Sequence, residues 1–159
     1  MSIGALCADT RWDEDPSDIQ LLKQHFFKLS PYIPLERNAG GMQVFTQDWR
    51  VARKLTDDAS TIEQEYVVEV AGELSPDGLR LLNHRLKFNG KPLPPAKVSW
   101  QNETRLRFAL KGVIPGSITH MCQSVGLQVL SMKRIRIGRV SMAKLPAGQW
   151  RYLMPHEAF

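Results

Sequence analysis

Cysteine is scarce in this chain. Cys7 and Cys122 are the only two among 159 residues. They lie far apart, without C-x-x-C or Cys/His spacing, which excludes a disulfide framework and a local zinc signature. Both thiols are expected to be free and buried. The four histidines, His25, His84, His120 and His156, are scattered. A nucleophilic Cys/His pairing therefore has no signature either. No apolar run approaches the roughly 18 residues that cross a bilayer. The first residues, MSIGALCADTRW, have no basic lead and too short an apolar stretch for a secretory signal. The expectation is a cytoplasmic protein with no membrane partner.

Acid is also missing, and only locally. Residues 126–153, GLQVLSMKRIRIGRVSMAKLPAGQWRYL, hold six Lys or Arg and no Asp or Glu. Residues 104–159 carry nine Lys or Arg against the single acid Glu157, whereas residues 1–103 carry twelve against fifteen. The formal charge of +5 is thus about −3 followed by about +8. Positive charge gathered in one third of a chain points to a polyanion, with a solvated basic face as the plain alternative.

With 43% hydrophobic residues the chain can build one core, so 1–159 is expected to be a single domain. Short strand patterns outnumber helical ones. Residues 63–72 alternate, with Tyr66, Val68 and Val70 facing one way. Hairpin signals surround 98–110, and 127–137 reads as a long strand whose apolar phase slips near Ser131–Lys133. Further strands are expected at 3–7, 32–35, 42–45, 140–142 and 149–153. Helices are expected from Ser17 or Asp18 to about Lys28, over 47–55 behind a Thr46 cap, over 75–83, and from Pro115 to about Val125. The prolines of 91–95 mark a linker or turn. Hairpins with few βαβ alternations predict an α+β fold, a mixed, mainly antiparallel sheet with flanking helices.

The closing segment carries a family resemblance. Arg134, Arg136, Ile137, Gly138, Leu145, Gly148, Trp150, Arg151 and Leu153 fit the pattern L-x-R-x-R-I-G followed by L-x-x-G-x-[WY]-R-x-L. That pattern resembles the end of the catalytic domain in RsuA-like ribosomal RNA pseudouridine synthases. The strand around Tyr66, the helix of 46–55 and the helix-to-strand unit of 120–129 are also similar. The resemblance implies a bent sheet around an RNA cleft and isomerisation of uridine to pseudouridine, with no metal or organic cofactor. The target nucleotide leaves its stack, an ionised Asp acts on the ribose, a Tyr packs on the uracil and an Arg pairs with the Asp.

The same comparison exposes departures. The family loop G-R-L-D-x-x-[ST]-x-G-L meets residues 34–43, with Arg37 at the motif's Arg and Ala39 where the Asp belongs, in a loop about three residues shorter. The motif N-R-Q-[IV]-R-[RK]-[ML] meets 115–121, with Thr119 in place of the pairing Arg. The Lys-Pro of the family's first motif is absent from residues 1–4, and the S4-type RNA-binding domain common in the family is expected to be missing. A methyl group cannot attack or accept a proton, so no catalytic residue is expected. Losing acid and Arg together avoids an unpaired buried charge. Glu36 and Asp48 are the remaining carboxylates nearby, and both read as solvated surface acids.

The candidate RNA-contacting residues are Arg37, Tyr66, Lys133, Arg134 and Arg136, with structured ribosomal RNA as the implied partner. Each has a plain alternative. Tyr66 stacks on a base or packs in the core; Arg37 meets phosphate or braces its loop. The basic residues of 133–139 meet phosphate or guard a sheet edge. Trp150 and the apolar positions of 49–55 are expected in the core. Beside an RNA-binding protein without synthase chemistry stand two other readings, an active isomerase using Glu36, Asp48 or another carboxylate, and a remnant that binds a protein partner.

Overall fold

The computed structural model describes residues 6–83 and 86–159. Most of the strand expected at 3–7 lies outside these residues. The centre is a sheet of strands β4 (Gln64–Gly72), β7 (Lys97–Trp100), β8 (Arg105–Leu110), β9 (Leu127–Ile137) and β10 (Val140–Ser141), in the order β10-β9-β4-β8-β7. These strands pair antiparallel. The short β2 (Gly40–Gly41) joins β9 in parallel, which makes the sheet mixed. Strands β1 (Ser30–Tyr32) and β3 (Val44–Thr46) form a separate pair, as do β5 (Lys87–Phe88) and β6 (Lys91–Pro92). Helices α1 (Trp49–Asp57), α2 (Gly78–Asn83) and α3 (Ser117–Ser124) flank them. The architecture is α+β with an antiparallel-dominated sheet, as the hairpin signals predict.

The alternation of 63–72 works as period-2 patterning should. Gln64, Tyr66, Val68 and Val70 are buried, while the residues between them are partly exposed. The buried face joins Leu106, Phe108, Ile118, Met121, Val125 and Leu127 in the main core. A smaller core of Ile33, Val44, Leu55, Ile62 and Ile137 lies under α1. In β9 the pairing with β4 shifts twice, skipping Leu130 and Ile135. Two bulges therefore flank the single slip expected at 131–133.

The helix expected over 18–28 does not form. Side chains take the carbonyls an α-helix needs: Arg11 Nη2 donates to Ile19 O, and Gln47 Nε2 donates to the carbonyls of Gln24, His25 and Phe27. Ile19 and Leu22 stay exposed, so no core rewards a helical turn. Only a 3-10 turn, Lys23–Phe26, remains. Helix α1 is capped by Asp48, whose carboxylate accepts the Arg50 N–H, and not by Thr46. Helix α2 begins at Gly78, after Asp77 at φ +60°. In place of a strand at 149–153 there is one bridge, Arg11 with Trp150, and the Trp150 Nε1–H donates to Cys7 O. Cys7 is exposed, contrary to the expectation for both thiols; Cys122 is buried.

Candidate functional site

The site forms where the loop after β1 crosses β4, β9 and the start of α3. Glu36 is 3% exposed, which corrects its reading as a surface acid. Its Oε1 accepts the N–H of Arg37 at 2.6 Å and of Gly116 at 2.5 Å, and its Oε2 accepts the N–H of Ile118 at 3.0 Å. Two of these donors are orphan amides of the α3 N-terminus, which attracts negative charge. Gly116, at φ +85°, supplies no side-chain cap. A carboxylate eighty residues earlier does that work instead.

Tyr66 and Arg134 stand under the same loop. The Tyr66 hydroxyl accepts the Glu36 N–H at 3.1 Å and donates to Gln64 Oε1 at 2.9 Å. Gln64 Oε1 also accepts from Arg134 Nη1 at 3.0 Å. The Arg134 guanidinium further donates to the carbonyls of Ile33, Pro34 and Met42, while its Nη2 has no partner. No carboxylate pairs with it among the described residues. Burial pushes the Arg134 guanidinium below its ordinary value and the Tyr66 phenol above its own. Gly41 lets β2 come this close to β9, since a Cβ there would fall 2.4 Å from Arg134 O.

The expected RNA-contacting residues therefore separate. Tyr66 and Arg134 are both 0% exposed, with neither the ring nor the guanidinium reaching solvent. Both are core, the plain alternative for Tyr66. Arg136 is half-buried and held by Glu65 at 2.8 Å and Glu63 at 2.5 Å. Arg37 and Lys133 are exposed. Their segments adjoin, because Gly40, three residues after Arg37, pairs with Lys133.

Ala39 is partly buried against the main core and donates its N–H to Glu36 O. Setting the L-D of the family loop on Leu35-Glu36 brings its Gly onto Gly41 without a gap. The carboxylate is then one methylene longer than the pattern's and three positions earlier than Ala39. The ungapped count from Leu35 to Gly41 was the sequence signal for Glu36. Among the described residues, no three His, Cys, Asp or Glu gather in a way that could hold a metal ion. No helix of the described residues is long and apolar enough to cross a membrane.

No family model matches the chain. Curated relatives do. It is 26% identical over 145 residues to an uncharacterized RNA pseudouridine synthase of Aquifex aeolicus, covering 89% of this chain and 60% of that protein. It is 24% identical over 148 residues to the dual-specificity RNA pseudouridine synthase RluF of Escherichia coli K12, covering 93% of this chain and 51% of RluF. It is 28% identical over 138 residues to the ribosomal large subunit pseudouridine synthase E of Xanthomonas campestris, covering 74% and 73%. The chain thus spans about half to three quarters of the length of these proteins. A crystal structure of a pseudouridylate synthase superposes with a TM-score of 0.71 at 20% identity, over 84% of this chain and 60% of that one. The chain is thus similar in sequence to proteins named RNA pseudouridine synthases and shares the fold of a pseudouridylate synthase.

Proposed function

We propose that the chain is an RNA-binding protein on the pseudouridine synthase scaffold, with its former catalytic centre turned into a structural joint. The observation that carries this reading is the Glu36 carboxylate. It is closed off from solvent and accepts three backbone N–H groups. An acid that must reach a ribose carbon needs an open approach and a free oxygen, and displacements near 1 Å already matter. Tyr66 is sealed beside it. RNA contact falls to the exposed cations Arg37, Lys133, Arg139 and Lys144. The relative named a ribosomal large subunit pseudouridine synthase makes ribosomal RNA the natural partner class. The reading also places the protein in the cytoplasm, where such RNA is met.

A second reading has its own support. Glu36 falls on the acid's position in the ungapped loop, beside Tyr66, so an active isomerase would use Glu36 as its acid. One assay separates the two. Ribosomal RNA carrying 5-tritiated uridine is incubated with protein, and tritium release is counted. The proposal expects no release above a protein-free blank, together with salt-sensitive filter binding of the same RNA. Release that vanishes in Glu36→Gln installs the isomerase reading. Absence of binding at low salt removes the RNA reading.

A further inference from the structure

Trp49 is expected in the core and is instead 68% exposed. It opens α1, and Gln47, two residues before it, is bonded to the carbonyls of Gln24, His25 and Phe27. Those bonds hold the 24–28 segment beside the start of the helix. The result is a depression of about 410 Å³, whose lining includes Lys28, Tyr32, Gln47, Trp49, Arg53 and Thr56. Phe27, next to Lys28, is the other large side chain left 68% exposed. This depression is formed by α1, β1 and β3 and contains none of the residues around Glu36.

We propose that this depression is a second nucleic-acid site, which takes an unpaired nucleotide of single-stranded RNA. The inference rests on the RNA-binding reading and adds the form of RNA bound and its place. A nucleotide is a flat π-surface joined to an anionic phosphate, and the depression offers both complements. Trp49 and the partly buried Tyr32 supply aromatic rings to the lining; Lys28 and Arg53 supply cations. Trp49 lines the depression with most of its surface in water, an area that a stacked base would cover. Base stacking on aromatics tolerates any sequence, which suits a protein that reads no base edges here. The local ion pairs do not compete strongly. Arg53 with Asp57 at 3.4 Å and Arg50 with Asp48 at 3.8 Å are side chains 47–76% exposed, and such pairs are weak and readily exchanged for phosphate. Asp57 also lines the depression and can accept from a ribose hydroxyl.

The test uses the whole chain and a fluorescein-labelled oligouridine of about eight nucleotides, within the usual footprint of one single-strand site. Anisotropy titrations compare the protein with Trp49→Ala, Arg53→Glu and the control Trp100→Ala, whose side chain is 40% exposed at the end of β7. A ribosomal RNA hairpin is titrated in parallel. Trp49→Ala is expected to weaken oligouridine binding about tenfold, Arg53→Glu to weaken it and make its loss with salt shallower, and Trp100→Ala to change neither. Thermal melts check that the exposed substitutions leave folding intact. Equal oligouridine affinity for Trp49→Ala and the unaltered chain overturns the proposal, and hairpin binding that persists then leaves the RNA reading standing. An unaltered chain that binds neither probe removes both. Oligouridine binding lost equally in Trp100→Ala also overturns the assignment, since the site would then lie elsewhere.

Discussion

Glu36 and Gly116 are eighty residues apart, and the Gly116 N–H donates to Glu36 Oε1 at 2.5 Å. The pair ties the loop after β1 to the helix before β9. Replacement of Glu36 by Gln would turn one accepting oxygen into an amide donor facing backbone N–H groups. A buried unsatisfied donor and a lost charge-assisted cap together are worth about 2–3 kcal/mol. Urea unfolding of Glu36→Gln should show that loss as a lower midpoint at unchanged slope. A midpoint equal to that of the unaltered chain would mean the carboxylate is dispensable to the fold, which is what a catalytic acid would look like.

Arg134 and Lys133 are neighbours in sequence with opposite expected effects. Arg134 is fully buried and braces the carbonyls of Ile33, Pro34 and Met42. Arg134→Ala strands those acceptors and should cost about 3 kcal/mol or more. Lys133 and Arg37 are exposed. Alanine at either should leave stability within about 0.5 kcal/mol. Each should also lower the slope of log affinity for RNA against log salt by about one. Filter binding across a salt series, alongside urea melts, reads both effects. Equal slopes for Lys133→Ala, Arg37→Ala and the unaltered chain would move the RNA interface away from the β2–β9 edge.

The sheet was legible because its signals are local. Tyr66, Val68 and Val70 alternate, and the hairpin of β7 and β8 turns at 102–104. The segment 18–28 misleads for the converse reason. Its apolar spacing fits a helix, but Arg11 and Gln47 take its carbonyls from afar, and no periodicity carries that information. Trp49 misleads similarly, since helical spacing gives a face but not which face meets the core. The site was half legible. Tyr66 and Arg134 stand out by pattern, whereas the role of Glu36 depends on Gly116 and Ile118, supplied by another motif. A loop read as three residues short sets Ala39 at the acid's position, whereas the ungapped count from Leu35 to Gly41 sets Glu36 there.

The two thiols should differ in reactivity. Cys122 is fully buried, and desolvation pushes its thiol up to about 12. The thiolate is the reactive form, so Cys122 should resist alkylation and disulfide exchange in the folded chain. Cys7 is exposed. A chromogenic disulfide reagent at mildly alkaline pH should titrate one thiol in the native protein and both in denaturant, matching the two cysteines present. Rapid modification of both without denaturant would show that α3 opens readily, against the clamp formed by Glu36.

Acid should weaken the fold through Glu157. Glu157 accepts from Arg151 Nη1 at 2.6 Å and Nη2 at 2.8 Å, and from the Met154 N–H at 2.8 Å. The bond to Arg151 is the main cause that holds Glu157 below the usual carboxylate range. A folded value below the unfolded one means that the unfolded chain binds more protons between the two. The stabilisation is therefore complete above the unfolded value of about 4.3 and is lost as pH falls through the folded one. Glu63 is lowered in the same direction by its bond to Arg136, and Asp15 by bonds to Ser17, Tyr152 and Arg11 that outweigh its desolvation. A bidentate pair of this exposure is worth about 1 kcal/mol. Glu157→Gln should lower the urea midpoint at neutral pH by that amount. The gap to the unaltered chain should then narrow as pH falls through the acid range, because protonation of Glu157 does there what the substitution does everywhere. A gap that stays constant with pH would assign the loss to packing around residues 151–157 and not to charge.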